Sequence, residues 1–261
     1  MNALKVGILS FCLVSGAAVA PAGATSITIS DVGVTYYENL TLTGGALGSG
    51  TLNAGYSGQI NLSTSLGNLG VWCVDLFHEI FLGGQYSATT APYTTNNSTP
   101  PASLTADQIS QISAIAAFGN ALLQPTAHRT FDPSTLAAFA SDLANFQTTA
   151  PADYAAIMYA SPNNLNTFSA AVQAAIWNVA YGTIATNAAD AHFATDLGII
   201  LANATEFFGN IGGYQLDIVD ARGNQAQRQF LSQVPEPATL GLVVLGLAGL
   251  FAMRRRVGSQ A

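Results

Sequence analysis

Strand-like text, then helical text, then strand-like text again predicts an α+β fold. We read it as an antiparallel β-rich sandwich or barrel with a helical insertion, plus a C-terminal transmembrane helix. Three observations carry this. Residues 26–81 set Ile27, Ile29, Val32, Val34, Tyr36, Leu40 and Leu42 among Ser and Thr, with Gly44, Gly45, Gly48, Gly50, Gly55, Gly58 and Gly67 as punctuation. Residues 103–204 bring apolar side chains back at helical spacing. Residues 238–253 form an apolar run that ends on Arg254, Arg255 and Arg256.

Taken in order, residues 1–24 read as a signal peptide. Lys5 gives the positive start, an apolar stretch comes next, and Ala22, Gly23 and Ala24 offer the small-x-small cleavage pattern. The exported ectodomain is then residues 25–233. Residues 71–81, the most hydrophobic piece, predict a central strand running toward Gly83 and Gly84, and residues 87–101 predict a polar exposed loop. Thr105 with Gln108 forms a capping box ahead of Ile109, Ile112, Ile115 and Leu122. Asp132 before Pro133 starts a helix ending near Phe146, and Pro151 starts a short one with Tyr154, Ile157 and Met158. Residues 167–181 put Phe168, Val172, Ala175, Ile176 and Val179 on one face, with Gly182 as the stop. A last helix covers 191–202, and strands return at 214–219 and 227–231.

The C-terminal segment 234–261 has its own layout. Pro235, Glu236 and Pro237 precede the apolar run, and the arginines close it. A helix over residues 238–253 spans about 24 Å, short of the roughly 30 Å hydrocarbon core, and snorkelling arginines on the cytoplasmic side cover the difference. This tail resembles the PEP-CTERM sorting signal. The resemblance implies recognition and processing by an exosortase, an inner-membrane-anchored precursor, and a final place at the cell surface or in the extracellular matrix of a Gram-negative bacterium.

Composition narrows the ectodomain's function. Its only basic side chains are Arg129, Arg222 and Arg228 against thirteen acidic ones, so it repels nucleic acid and anionic polymers. Cys12 leaves with the signal peptide, so Cys73 is the single thiol of the mature protein and no intrachain disulfide can form. Cofactors are not expected. The Cys/His spacing of a zinc site and the spacing of an EF-hand loop are both missing. A cysteine hydrolase would need His78, His128 or His192 as base, but no flanking motif supports any of them. On an extended strand His78 would lie beyond reach of Cys73.

Two short motifs stand out: Trp72-Cys73-Val74 on the strand, with Asp75 two positions on, and Val172-Gln173-Ala174-Ala175-Ile176-Trp177 on a helix. Together they resemble the thioester domains of bacterial surface adhesins, in which a strand cysteine and a helix glutamine condense. Ala175, Ile176, Trp177 and Trp72 match that pattern, whereas Val172 stands where threonine is usual. The resemblance implies an internal thioester between Cys73 and Gln173 that attaches the protein covalently to an amine or hydroxyl of a surface or matrix partner. One turnover per molecule makes this a crosslinker and not an enzyme. The ectodomain has no lysine, which would spare such a thioester from self-reaction. An acidic, Ala/Thr-rich composition accounts for the same absence. The alternative is a non-covalent structural matrix protein with an inert buried cysteine.

Overall fold

The structure, a computed structural model, describes residues 25–65, 67–92, 104–123, 133–159, 164–187, 190–208, 214–222 and 225–231. The predicted signal peptide at 1–24, the C-terminal tail with its predicted transmembrane helix at 238–253, Asp132 and His128 lie outside them. Among the described residues no helix is long and apolar enough to cross a membrane.

Among the described residues seven strands form one antiparallel sheet: β1 (Thr25–Thr43), β2 (Thr51–Thr64), β3 (Gly67–Cys73), β4 (Tyr86–Pro92), β5 (Ile184–Thr186), β6 (Tyr214–Val219) and β7 (Gln225–Leu231). The pairings run β1–β2–β3–β7–β6–β4 and return to β1, because the first residues of β1 pair with β4 and the rest with β2. Of the two predicted forms, this circuit is the barrel, and closure removes the exposed edges an open sheet would present. A register shift between Ile29 and Asp31 makes it possible for one strand to serve both partners. Ile27 and Ile29 face inward before it, Val32 after it, so the extra residue changes the phase of the alternation and keeps the apolar side inside.

The helical insertion lies between β4 and β6: α1 (Ala106–Leu123), α2 (Pro133–Thr149), α3 (Pro151–Ile157), α4 (Asn164–Tyr181) and α5 (Phe193–Phe207). Thr105 and Gln108 close the predicted capping box reciprocally, at 3.0 and 3.2 Å. α4 is buried from Thr167 to Trp177 on all sides, as expected of a helix held between two layers. One side meets β1, β2 and β3, the other α1 and α5. In the outer layer Phe118 stacks on Phe208 at 4.4 Å and meets Phe146 and Phe168 edge-on at 5.0 and 5.7 Å.

Several expectations need correction. The predicted strand 71–81 stops at Cys73, and the segment to Gln85 is a bent connection. Residues 86–92, expected largely as loop, form β4, where Ala88 and Thr90 turn inward among exposed neighbours. The three-residue β5, which pairs with the end of β1, left no apolar pattern to find. Helix α2 also runs on past Phe146 to Thr149, and α5 past 202 to Phe207.

Candidate functional site

Local hydrogen bonds end β3 at Cys73. The thiol donates to the Asp75 carbonyl at 2.9 Å, and Phe77 N–H donates to Asp75 Oδ1 at 3.0 Å. The Tyr181 hydroxyl, at the end of α4, donates to the Val74 carbonyl at 2.9 Å and accepts from Leu76 N–H at 3.3 Å. These partners replace the ladder that a continuing strand would need. Asp75 is therefore buried in a turn and not on the strand face. The same turn brings His78 back, with Nδ1 2.8 Å from Asp75 Oδ2. The extended strand that would place His78 beyond reach of Cys73 therefore ends before it, and His78 makes its contact with Asp75.

Helix α4 presents Ser169, Gln173 and Trp177 at i, i+4 and i+8, one line along the face toward the barrel. Ser169 Oγ accepts Gln59 N–H at 2.9 Å. Gln173 spans the backbone of Cys73: its Oε1 accepts Cys73 N–H at 3.0 Å and its Nε2 donates to the Cys73 carbonyl at 2.6 Å. A backbone N–H can only donate and a carbonyl only accept, so this pairing fixes the orientation of the amide. It also explains how glutamine tolerates full burial, since both ends of its side chain are satisfied.

Neighbouring residues hold the two motifs in register. Trp72 Nε1 donates to Asn120 Oδ1 at 3.2 Å, and Gln59 Nε2 donates to the same oxygen at 2.6 Å. Gly119 lets α1 close on this junction: a Cβ there would sit 2.5 Å from Trp72 Cζ2 and 2.8 Å from Val172 Cγ1. Ile176 is buried beside them. Asn120, Gln59, Ser169 and Gly119 were missed in the sequence. The spacing of Ser169, Gln173 and Trp177 was the available signal.

Burial first, and the nearby Asp75 charge second, push the Cys73 thiol well above its ordinary range. Hydrogen bonding at the Asp75 backbone and the neighbouring Trp177 indole ease that rise without cancelling it.

A cavity of about 360 Å³ lies against this junction, between β1–β2 and the segment after Cys73. Buried Cys73, Gln173 and Trp177 line its inner part, while exposed Tyr56, His78 and Phe81 stand at its outer part. Gly83 N–H donates to the Val32 carbonyl at 2.8 Å and fixes the far end of the segment to the barrel. Gly83 has φ 73°, a turn geometry that suits glycine. His192 belongs elsewhere, stacked on Tyr159 at 3.9 Å near Asp190. Among the described residues no group of three or more His, Cys, Asp or Glu could hold a metal ion.

The PEP-CTERM protein-sorting motif matches residues 233–256, which include Pro235, Glu236, Pro237 and Arg254 to Arg256. The chain carries an exosortase sorting signal. It marks an exported protein, anchored in the membrane before exosortase processing and then released. No curated protein and no solved structure matches the chain.

Proposed function

We propose that the exported ectodomain forms an internal thioester between Cys73 and Gln173, and uses it once to attach covalently to a nucleophile on a surface or matrix partner. The observation that carries this reading is the pairing of the Gln173 carboxamide with both backbone groups of Cys73. That pairing sets the Gln173 carboxamide against the residue that carries the thiol, which supports the reading because an unreactive amide needs its nucleophile held close. The Cys73 N–H points at the oxygen on which negative charge develops during attack. The chemistry balances without a cofactor. Sulfur bonds to the Gln173 side-chain carbonyl carbon, the carbon–nitrogen bond breaks, and ammonia leaves carrying the thiol proton. The buried setting then limits hydrolysis, and the cavity gives a partner access.

The inert-cysteine matrix protein is the second reading, and the raised thiol pKa favours it. Intact mass separates the two. Freshly purified ectodomain should be lighter than its sequence by one ammonia and should resist thiol alkylation on rapid acid denaturation. Methylamine should add at Gln173 and free the Cys73 thiol, and Cys73→Ala should remove the deficit. Fresh protein at full sequence mass with a titratable thiol overturns the thioester. In cells that make the full precursor, the released protein should lack Arg254 to Arg256. Their retention in all of the released protein would contradict tail processing.

A further inference from the structure

We infer that the cavity beside Cys73 is an acceptor site for a neutral polyol or saccharide hydroxyl, with His78, oriented by Asp75, as the base that activates it. This deepens the proposed thioester chemistry and rests on it. Three observations independent of the Cys73–Gln173 pairing point the same way.

The first is the pair itself. Asp75 is 1 % exposed, whereas the His78 side chain is 46 % exposed, so a buried carboxylate holds a ring at the solvent side of the cavity. The bond from His78 Nδ1 to Asp75 Oδ2 assigns the proton to Nδ1 and leaves Nε2 as the basic nitrogen. Asp75 also accepts from Phe77 N–H, so the carboxylate is fixed by its own turn.

The second is the outer part of the cavity. Tyr56 is 53 % and Phe81 70 % exposed, a large apolar surface to leave in water beside a pocket. Tyr56 sits in a bulge of β2, where the register slips between Glu38 and Leu40. Its φ of 53° is a positive-φ conformation that non-glycine residues adopt only under strain. Bulges of this kind re-aim side chains beside active sites. Here the ring rests on Tyr37, with centroids 4.8 Å apart. An aromatic face so placed suits the C–H face of a sugar ring.

The third is the remaining wall, where Asn53, Ser57 and the carboxylate of Glu79 offer hydrogen-bonding groups to hydroxyls among apolar neighbours, with no lysine or arginine to attract an anion. A hydroxyl needs a base to attack an acyl group, and an unprotonated amine does not. In the step proposed, the acceptor oxygen bonds to the Gln173 acyl carbon and the carbon–sulfur bond breaks. The acceptor proton passes to His78 Nε2 and from there to the Cys73 sulfur. The products are an ester at residue 173 and a free thiol, with no change in oxidation state.

The test compares glycerol and methylamine as acceptors on full-length ectodomain at mildly alkaline pH, read by intact mass over time. His78→Ala should slow glycerol addition by about 10²-fold and leave methylamine addition within about twofold. Free imidazole should restore much of the glycerol rate in His78→Ala, which a purely structural role would not allow. Asp75→Asn, which keeps the Phe77 bond, should slow glycerol addition less than His78→Ala does. Equal glycerol rates in wild type and His78→Ala, or no rescue by imidazole, overturn the inference while methylamine labelling keeps the thioester. A wild-type protein with neither mass deficit nor methylamine adduct overturns both.

Discussion

The two sides of helix α4 are built from different physics. Toward the barrel, Ser169 and Gln173 meet backbone groups of Gln59 and Cys73 through directional hydrogen bonds. Toward the outer helices, Phe168 joins Phe118, Phe146 and Phe208 in ring contacts with no polar requirement. An aromatic layer fixes how much volume is filled. A hydrogen-bonded junction fixes which atom faces which, and chemistry needs the second kind of order. The contrast predicts that stability resides mainly on the outer side and positional precision on the inner.

Phe118→Ala should cause the largest loss, about 3–5 kcal/mol, because three ring contacts vanish and a cavity remains. Denaturant unfolding measures it, and a loss below that of the junction variants would break the comparison. Gln173→Ala should cost about 2–4 kcal/mol, since it strands a buried N–H and a buried carbonyl of Cys73. The good helix propensity of alanine at this position does not compensate. Calorimetry should show a lowered Tm with the fold retained.

Asp196, on the outer side, sharpens the rule by violating it. It is fully buried and neither carboxylate oxygen has a partner among the described residues, and burial, aided by the Asp190 charge, pushes its pKa up to about 7. The folded state then keeps a proton that the unfolded chain releases above about pH 4. Stability should therefore fall by roughly 2–3 kcal/mol as pH rises from 4 to 7. Asp196→Asn should flatten that slope, and an unchanged slope would mean another group supplies it. Asp190 moves oppositely. Partial burial works against it, yet hydrogen bonds from His192 N–H, Thr167 and Tyr159 hold its carboxyl below the ordinary range. The smallest effect belongs to Cys73→Ala, about 1–2 kcal/mol by the same unfolding measurement, because its backbone and not its side chain carries the junction.

Signals contained within a few residues were readable. Thr105 and Gln108 lie three apart and cap α1 as their spacing requires. Gly182 ends α4 with φ 68°, and β6 keeps its predicted bounds. The features hidden from the sequence depend on distant partners. Gln173 stands out beside Cys73 by motif resemblance alone, since neither helical periodicity nor local spacing shows a partner 100 positions away. The end of β3 depends on Tyr181, 107 positions from Val74. β4 is rich in threonine and alanine, so its half-buried pattern resembles loop composition until β1 and β6 flank it.

The way β7 is held has a mechanical consequence for the precursor, which is anchored through its C-terminal tail before processing. A pull directed along β7 meets both of its neighbours, β6 over most of its span and β3 at Trp72 and Cys73. The flanking bonds lie across the line of force and are loaded together in shear, so they resist as a set instead of opening one by one. A pull on the anchor is thereby delivered to the end of β3 that carries Cys73.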